Sequence, residues 1–322
     1  MIRLLWRTDV HLSDKAPSSR TDDWADTVFH KLGQIRDLAK RLNADAIIDG
    51  GDFFHIKAPS RNSHELVRRA LDHHTGYPCP VYSVPGNHDS VYGDYAFLPQ
   101  QPLGVLHASG VFKPLYDDRE ALIEKDGLKV RLIGVPYHGA RYDMSRFYDI
   151  KRKDEDFLFC AAHVLASRDG GQMFEGEDII RYSDLEDTAP DVYAFGHWHK
   201  DQGVQSIGDK QFINIGSLTR GSLSQDEVQR QPACALLTFE QGKPVDIKVV
   251  RLKVRPPEEV FDVEGRARQV QRQEDMDEFV ARIRDALFST EDGKTLGDMI
   301  SEMPELPDQV RERALTYLEA VK

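Results

Sequence analysis

Short apolar runs rich in β-branched and aromatic residues recur along the chain, and five of them end abruptly on His, Asp or Asn. Ile2–Arg7 precedes Asp9, Ala46–Ile48 precedes Asp49–Asp52, and Val81–Val84 precedes Pro85–Asp89; further on, Phe157–Ala162 precedes His163 and Val192–Phe195 precedes Gly196–His199. Runs of this length, bounded by Gly and Pro and separated by helical stretches, predict buried strands of an α/β protein. Polar residues at the carboxyl ends of such strands can converge on one crevice although they are distant in sequence.

Between the runs the period changes. Trp24, Val28, Leu32, Ile35 and Leu38–Ala39 share one face of a predicted helix over Trp24–Leu42, and a second is expected over His64–His73. From Val130 onward VRLIGVPYH, QFINIGSL and ACALLTFE predict antiparallel or mixed strands near a second sheet. A boundary is expected near Lys253–Pro257, dividing a large domain (1–253) from a small C-terminal region (254–322). Val254–Val270 reads as extended. Beyond it, Met276–Phe288 and Asp308–Val321 carry the spacing of amphipathic helices, with Phe279, Val280, Ile283 and Leu287 on one and Val310, Ala314, Tyr317 and Leu318 on the other. That spacing fits either a small core of their own or a partner-docking surface. There is no internal repeat.

Composition narrows the class. Hydrophobic residues make up 40% and charged residues 30% of 322, as in an ordinary globular protein. No apolar run approaches the roughly 20 residues that cross a bilayer, and MIRLLWRTDVH lacks the features of a signal peptide, so a cytoplasmic protein is expected. Cys79, Cys160 and Cys234 have no metal or redox spacing and read as reduced core residues. The net charge of −12 argues against a free-standing, salt-driven nucleic-acid binder, but not against an enzyme with local contacts.

The chemistry lies at the ends of the strands. In order the chain gives Asp9-Val10-His11, Gly51-Asp52, Gly86-Asn87-His88-Asp89, His163 and Gly196-His197-Trp198-His199. Two ions roughly 3.5–4 Å apart can clamp the attacking and leaving oxygens of a phosphoryl centre, and they need a bridging carboxylate with mixed nitrogen and oxygen shells. In an extended chain residues two apart share a side, which would turn both members of Asp9-x-His11 and of His197-x-His199 to one pocket. Gly51, Gly86 and Gly196 are expected to let the backbone turn there. Imidazole with carboxylate, without thiolate, suits manganese, iron or zinc. A nucleophile elbow and a P-loop are both absent from the sequence.

The series DVH, GD, GNHD, H, GHWH resembles the calcineurin-like metallophosphoesterase superfamily. The resemblance implies a four-layer α-β-β-α sandwich with a dinuclear site at its edge. Asp9, His11 and His199 would bind one metal, Asn87, His163 and His197 the other, and Asp52 would bridge them. His88 would be the catalytic His that binds no metal. GGDFFHIKAPS and NIGSLTRGS resemble the SbcD branch, related to the meiotic-recombination nuclease, and the tail after Pro256 resembles its DNA-capping region. That branch implies a metal-dependent DNA exonuclease or single-strand endonuclease in repair or recombination. It also implies two divalent ions (manganese foremost, with iron, magnesium or zinc as alternatives), a homodimer and an SbcC-type coiled-coil ATPase partner. His55 would help to position the phosphate, or is a surface His. Arg220 is either a surface residue or a phosphate contact, with contact favoured because GSLTRGS follows the last metal motif. Arg61 is a further candidate, read mainly as solvated. The basic stretch Arg141–Lys153 is either a solvated loop or a local DNA track. Two other readings stay open: a phosphodiesterase acting on small nucleotides or phosphate esters, and a scaffold without activity.

Overall fold

Ile2, Leu4 and Trp6 of β1 (Ile2–Arg7) face one way and Leu5 the other, all four buried, as the two-residue period of a strand between two packed layers requires. The computed structural model describes residues 1–91, 94–171, 175–289, 296–304 and 306–320. β1 pairs in parallel with β2 (Ala46–Asp49), β2 with β3 (Val81–Ser83) and β3 with β4 (Phe112–Pro114). A second sheet is laid down by β5 (Ala121–Lys125), β6 (Leu128–Val135) and β7 (Phe157–His163). After a small ribbon of β8 (Ala166–Ser167) and β9 (Ile180–Arg181) it continues with β10 (Val192–Gly196), β11 (Asp201–Ile207) and β12 (Lys210–Ile215). The chain then returns to the first sheet as β13 (Ala233–Phe239) and β14 (Asp246–Arg251). The first sheet runs β14-β13-β1-β2-β3-β4 and the second β11-β12-β10-β7-β6-β5.

The sheets face each other across Leu4, Trp6 and Ile48 on one side and Val130, Phe159, Ala161 and Ile213 on the other. Helix Trp24–Leu42 covers the outer face of the first sheet through Val28, Leu32 and Ile35, joined by Leu66 and Ala70 of helix His64–Thr75. It starts at Asp23, whose carboxylate accepts the Asp26 N–H, a cap worth about 1 kcal/mol. The outer face of the second sheet carries Tyr193, Phe195 and Phe212, covered by Phe147 of helix Ser145–Tyr148 and by Tyr182 and Leu185 of a 3₁₀ turn. The α-β-β-α order is as expected, with a thin fourth layer. Strands β1, β2, β3, β7 and β10 start at the residues the sequence indicated.

Three features differ from expectation. ACALLTF belongs to the first sheet, antiparallel to β1, because Ala235, Leu237 and Phe239 complete the inter-sheet core. The first compact unit runs to Asp262, past the boundary drawn at 253, because Phe261 is buried against Arg20, 4.7 Å from its guanidinium. Finally, Val254–Val270 is not extended throughout. Pro257–Val260 is a helix with Pro at its start and Glu258 and Glu259 in its first turn, and a second helix begins at Val263. The second unit, Val263–Lys322, contains helices Val263–Ser289, Leu296–Glu302 and Asp308–Ala320. The side chains of Phe279, Val280, Ile283, Leu287, Tyr317 and Leu318, and all of Val321, lie outside the described residues.

Candidate metal centre

His163 is the last residue of β7, and the other candidate metal donors follow within one to four residues of the ends of β1, β2, β3 and β10, where at four of them the backbone leaves the extended region. Asp9 (φ 52°), His11 (φ 51°), Asp52 (φ 52°) and His197 (φ 85°) are all left-handed. The extended geometry expected for Asp9-x-His11 and His197-x-His199 is therefore wrong, although each pair does reach one pocket. For a residue with a Cβ this conformation costs on the order of 1–2 kcal/mol, and the neighbouring loops supply what holds it. The N–H groups of Asp9 and His11 donate to the carbonyls of Gly51 and Asp52 at 3.0 and 2.9 Å, and the Leu12 N–H donates to Phe53 at 2.8 Å. The Asp89 carboxylate accepts the N–H groups of Gly86, Phe53 and Phe54, tying the second loop to the third. Of the three glycines only Gly51 turns the chain through a positive φ, 105°. Gly86 and Gly196 are needed for close approach instead. A Cβ at Gly86 would stand 2.2 Å from Asp52 Oδ1, and one at Gly196 2.3 Å from Thr8 Oγ1.

Among the described residues three groups of donors have ligand atoms within 4.8 Å of one another: His11, His55 and His88 are one, and the two that include a carboxylate are Asp9, His11 and His199, and Asp52, His163 and His197. Asp52 Oδ2 lies between them, 3.8 Å from His11 Nε2 and 3.5 Å from His163 Nε2. Asn87 Oδ1 is 3.1 Å from His163 Nε2. His11 and His199 bring their Nε2 atoms to 2.9 Å. The Nδ1 of His163 is 2.7 Å from the Gly50 carbonyl, which can only accept, so Nδ1 carries a proton and Nε2 is the nitrogen turned inward. Burial alone would raise Asp9, but the His199 hydrogen bond and the charges of His163 and His199 hold it at about 2. Asp52 is likewise held well below the usual carboxylate range, against its burial, chiefly by His163. Two ionised carboxylates, an amide oxygen and inward-facing imidazoles, without thiolate, fit a pair of first-row divalent ions.

His88 lies beside this cluster. Its N–H donates to Asp52 Oδ1 at 2.7 Å and its Nδ1 is 2.6 Å from the His55 carbonyl. The His55 ring stacks on that of His88 at 5.1 Å, with its Nδ1 3.2 Å from His11 Nδ1. A cleft of about 940 Å³ opens over these residues and is also lined by Tyr137, Glu177, Trp198 and Arg230. The structure thus brings together Asp9, His11, Asp52, His55, Asn87, His88, His163, His197 and His199.

It does not bring Arg220 or Arg61 to them. Arg220 is 4% exposed, and its two terminal nitrogens donate to the carbonyls of Val228 and Arg255, so it clips the chain together and the favoured phosphate contact is corrected. Arg61 sits exposed on the turn Pro59–Arg61, outside the cleft lining. In the basic stretch, Arg141, Arg152 and Lys153 are paired with Asp178, Asp191 and Glu120, as in a solvated loop. Glu177 was missed by the sequence reading. It comes from a loop with no motif, and only the fold carries it to His197, at 2.9 Å. Trp198 was visible within GHWH but had no assigned role.

Residues 2–201 match the family of calcineurin-like phosphoesterases. The chain belongs to that family. Among its relatives, the double-strand break repair protein MRE11 of Encephalitozoon cuniculi is 26% identical over 290 residues, covering 79% of this chain and 48% of that protein. The DNA double-strand break repair protein Mre11 of Saccharolobus solfataricus is 28% identical over 108 residues, 33% of this chain and 27% of that one. The chain therefore spans about half or less of the length of these two relatives. A dimetal phosphatase from Danio rerio shares the fold with a TM-score of 0.52 at 12% identity, over 79% of this chain and 97% of that one. Among the described residues, no helix is long and apolar enough to cross a membrane.

Proposed function

We propose that this phosphoesterase is a two-metal DNA nuclease, hydrolysing phosphodiester bonds at the cleft over the strand ends of its two sheets. The observation that carries the reading is Asp52 Oδ2 standing between two donor groups, with His88 hydrogen-bonded to the same carboxylate. Asp9, His11 and His199 would hold one ion, Asn87, His163 and His197 the other, and Asp52 both. When bound, the ions supply Lewis-acid activation of water and of the phosphoryl oxygens. The chain does the rest. His88 Nδ1 is committed to the His55 carbonyl, so the proton it can give to a leaving oxygen is the one on Nε2. His55, stacked on that ring, holds it at the cleft and helps to position the phosphate. DNA as substrate is supported by the double-strand break repair relatives. Manganese as the metal, a homodimer, an SbcC-type ATPase partner and a cytoplasmic location belong to the same reading; the free cysteines fit a reducing compartment.

The test is degradation of end-labelled linear DNA by the purified protein with manganese, with chelator, and with Asp52→Ala. Manganese-dependent cleavage abolished by the substitution is expected. Brisk cleavage of small phosphodiesters with none of DNA would replace the substrate. No bound metal and no activity on any phosphodiester would indicate a scaffold.

A further inference from the structure

Glu177 has no part in the reading above, yet its Oε1 stands 2.9 Å from His197 Nε2. The same oxygen accepts a hydrogen bond from the Tyr142 hydroxyl at 2.8 Å. That hydroxyl in turn accepts the N–H of Leu165, just beyond His163, at 2.9 Å. The Tyr142 N–H is fixed by Asp178 at 3.1 Å, and the Tyr137 ring packs across His197 at 5.2 Å. The Glu177 side chain is only 10% exposed. A chain of hydrogen bonds thus runs from the backbone beside one metal-site histidine to the side chain of another.

An imidazole that binds a metal through one nitrogen carries its proton on the other, and a carboxylate that accepts this proton fixes the ring and raises its basicity. The geometry here is of that kind. The group of mutually close donors that contains His197 is Asp52, His163 and His197; Glu177 falls outside it although it touches His197. We propose that Glu177 is a positioning residue for the second metal position. It accepts the Nε2–H of His197 and leaves Nδ1 as the nitrogen offered to the ion. This inference rests on the two-metal reading.

The experiment is calorimetric titration of the metal-free protein with manganese, for wild type, Glu177→Ala, Glu177→Gln and Tyr142→Phe, with circular dichroism to verify folding. Wild type should take up two ions. Glu177→Ala should bind one as wild type does and the other about 10–100-fold more weakly. Glu177→Gln, whose amide oxygen can still accept the Nε2–H, should stay within a few-fold of wild type. Tyr142→Phe, which loosens Glu177 without removing it, should weaken the same ion to a smaller extent. Unchanged binding in Glu177→Ala would overturn the proposal. So would Glu177→Gln as weak as Glu177→Ala, because the carboxylate would then act as a ligand or charge in its own right. Wild type that fails to bind two ions would instead overturn the metal reading beneath it.

Discussion

Asp52 and His163 meet across the two sheets, with Oδ2 of one 3.5 Å from Nε2 of the other. Asp52 follows the first sheet and His163 ends β7 of the second, so one contact joins both layers at the place where the donors converge. The same oxygen is 3.8 Å from His11 Nε2. Removing its charge should therefore weaken both ion positions rather than one. Asp52→Asn, which keeps the shape, should carry less than one manganese per chain by elemental analysis. Losing about 4 kcal/mol of charge stabilisation corresponds to a fall in turnover of roughly 10³-fold. Full retention of one ion would show that Asp52 serves a single position.

His88 should separate from the ligands in its phenotype. Its backbone N–H is bound to Asp52 and its Nδ1 to a carbonyl, so replacing the ring leaves intact the two donor groups that include a carboxylate. His88→Asn should lower turnover by about 10²–10⁴-fold with unchanged metal content. The loss should shrink for esters with an activated leaving group, which needs no proton. Equal loss of metal and turnover would remove His88 from the role of acid.

The strands were legible because β1 and β10 carry apolar side chains on both faces, and the candidate donors were legible because each stands at or within a few residues of the end of such a run. The local backbone was not. Asp9, His11, Asp52 and His197 adopt φ values that only the carbonyls and carboxylates of neighbouring loops make tolerable, and such contacts leave no period in the sequence. Arg220 misled because a guanidinium near a metal motif serves a phosphate or two backbone carbonyls equally well. Glu177 lies in a loop whose position is fixed by Tyr142, a contact across 35 residues without any pattern.

Gly86 is a test of how tightly the loops are packed. A methyl group there would stand 2.2 Å from Asp52 Oδ1, 2.5 Å from the Asp52 nitrogen and 2.7 Å from His163 Cε1. None of these is the free end of a flexible side chain. Gly86→Ala should cost about 1–3 kcal/mol of stability, read by urea denaturation. Because Asp52 and His163 must both give way, it should also weaken manganese binding. A variant as stable as wild type with normal metal content would mean that the third loop yields easily.

Behind the site Arg7 is fully buried, with its Nε 2.7 Å from Asp49 and its terminal nitrogens 3.0 Å from the Tyr77 hydroxyl and from His74 Nε2. Burial pushes the Asp49 carboxyl up, and Arg7 opposes that shift through charge and a hydrogen bond. Removing the arginine alone strands Asp49. Arg7→Met should therefore destabilise the protein by about 3–5 kcal/mol, while Arg7→Met with Asp49→Leu should recover much of the loss. If the double variant is no better than the single, packing of the guanidinium against Phe53 and Phe112 outweighs the charge.

His163 sets a pH dependence that reverses when metal is added. Burial disfavours its charged form, but the negative charge of Asp52 and the hydrogen bond that its carboxylate accepts, with help from Asp9 and the Gly50 carbonyl, push it up to about 9. A histidine whose folded value lies above its ordinary 6.5 stabilises the fold fully below 6.5, and that contribution is lost as pH rises through about 9. The metal-free protein should accordingly show a falling urea midpoint between about pH 7 and 9, and His163→Gln should lack this component. Metal needs the same nitrogen without its proton, so manganese affinity should rise over that window and binding should release protons into the buffer. Calorimetry in two buffers of different ionisation enthalpy measures that release. Binding that takes place without proton release near pH 7.5 would mean that His163 is already neutral in the metal-free protein.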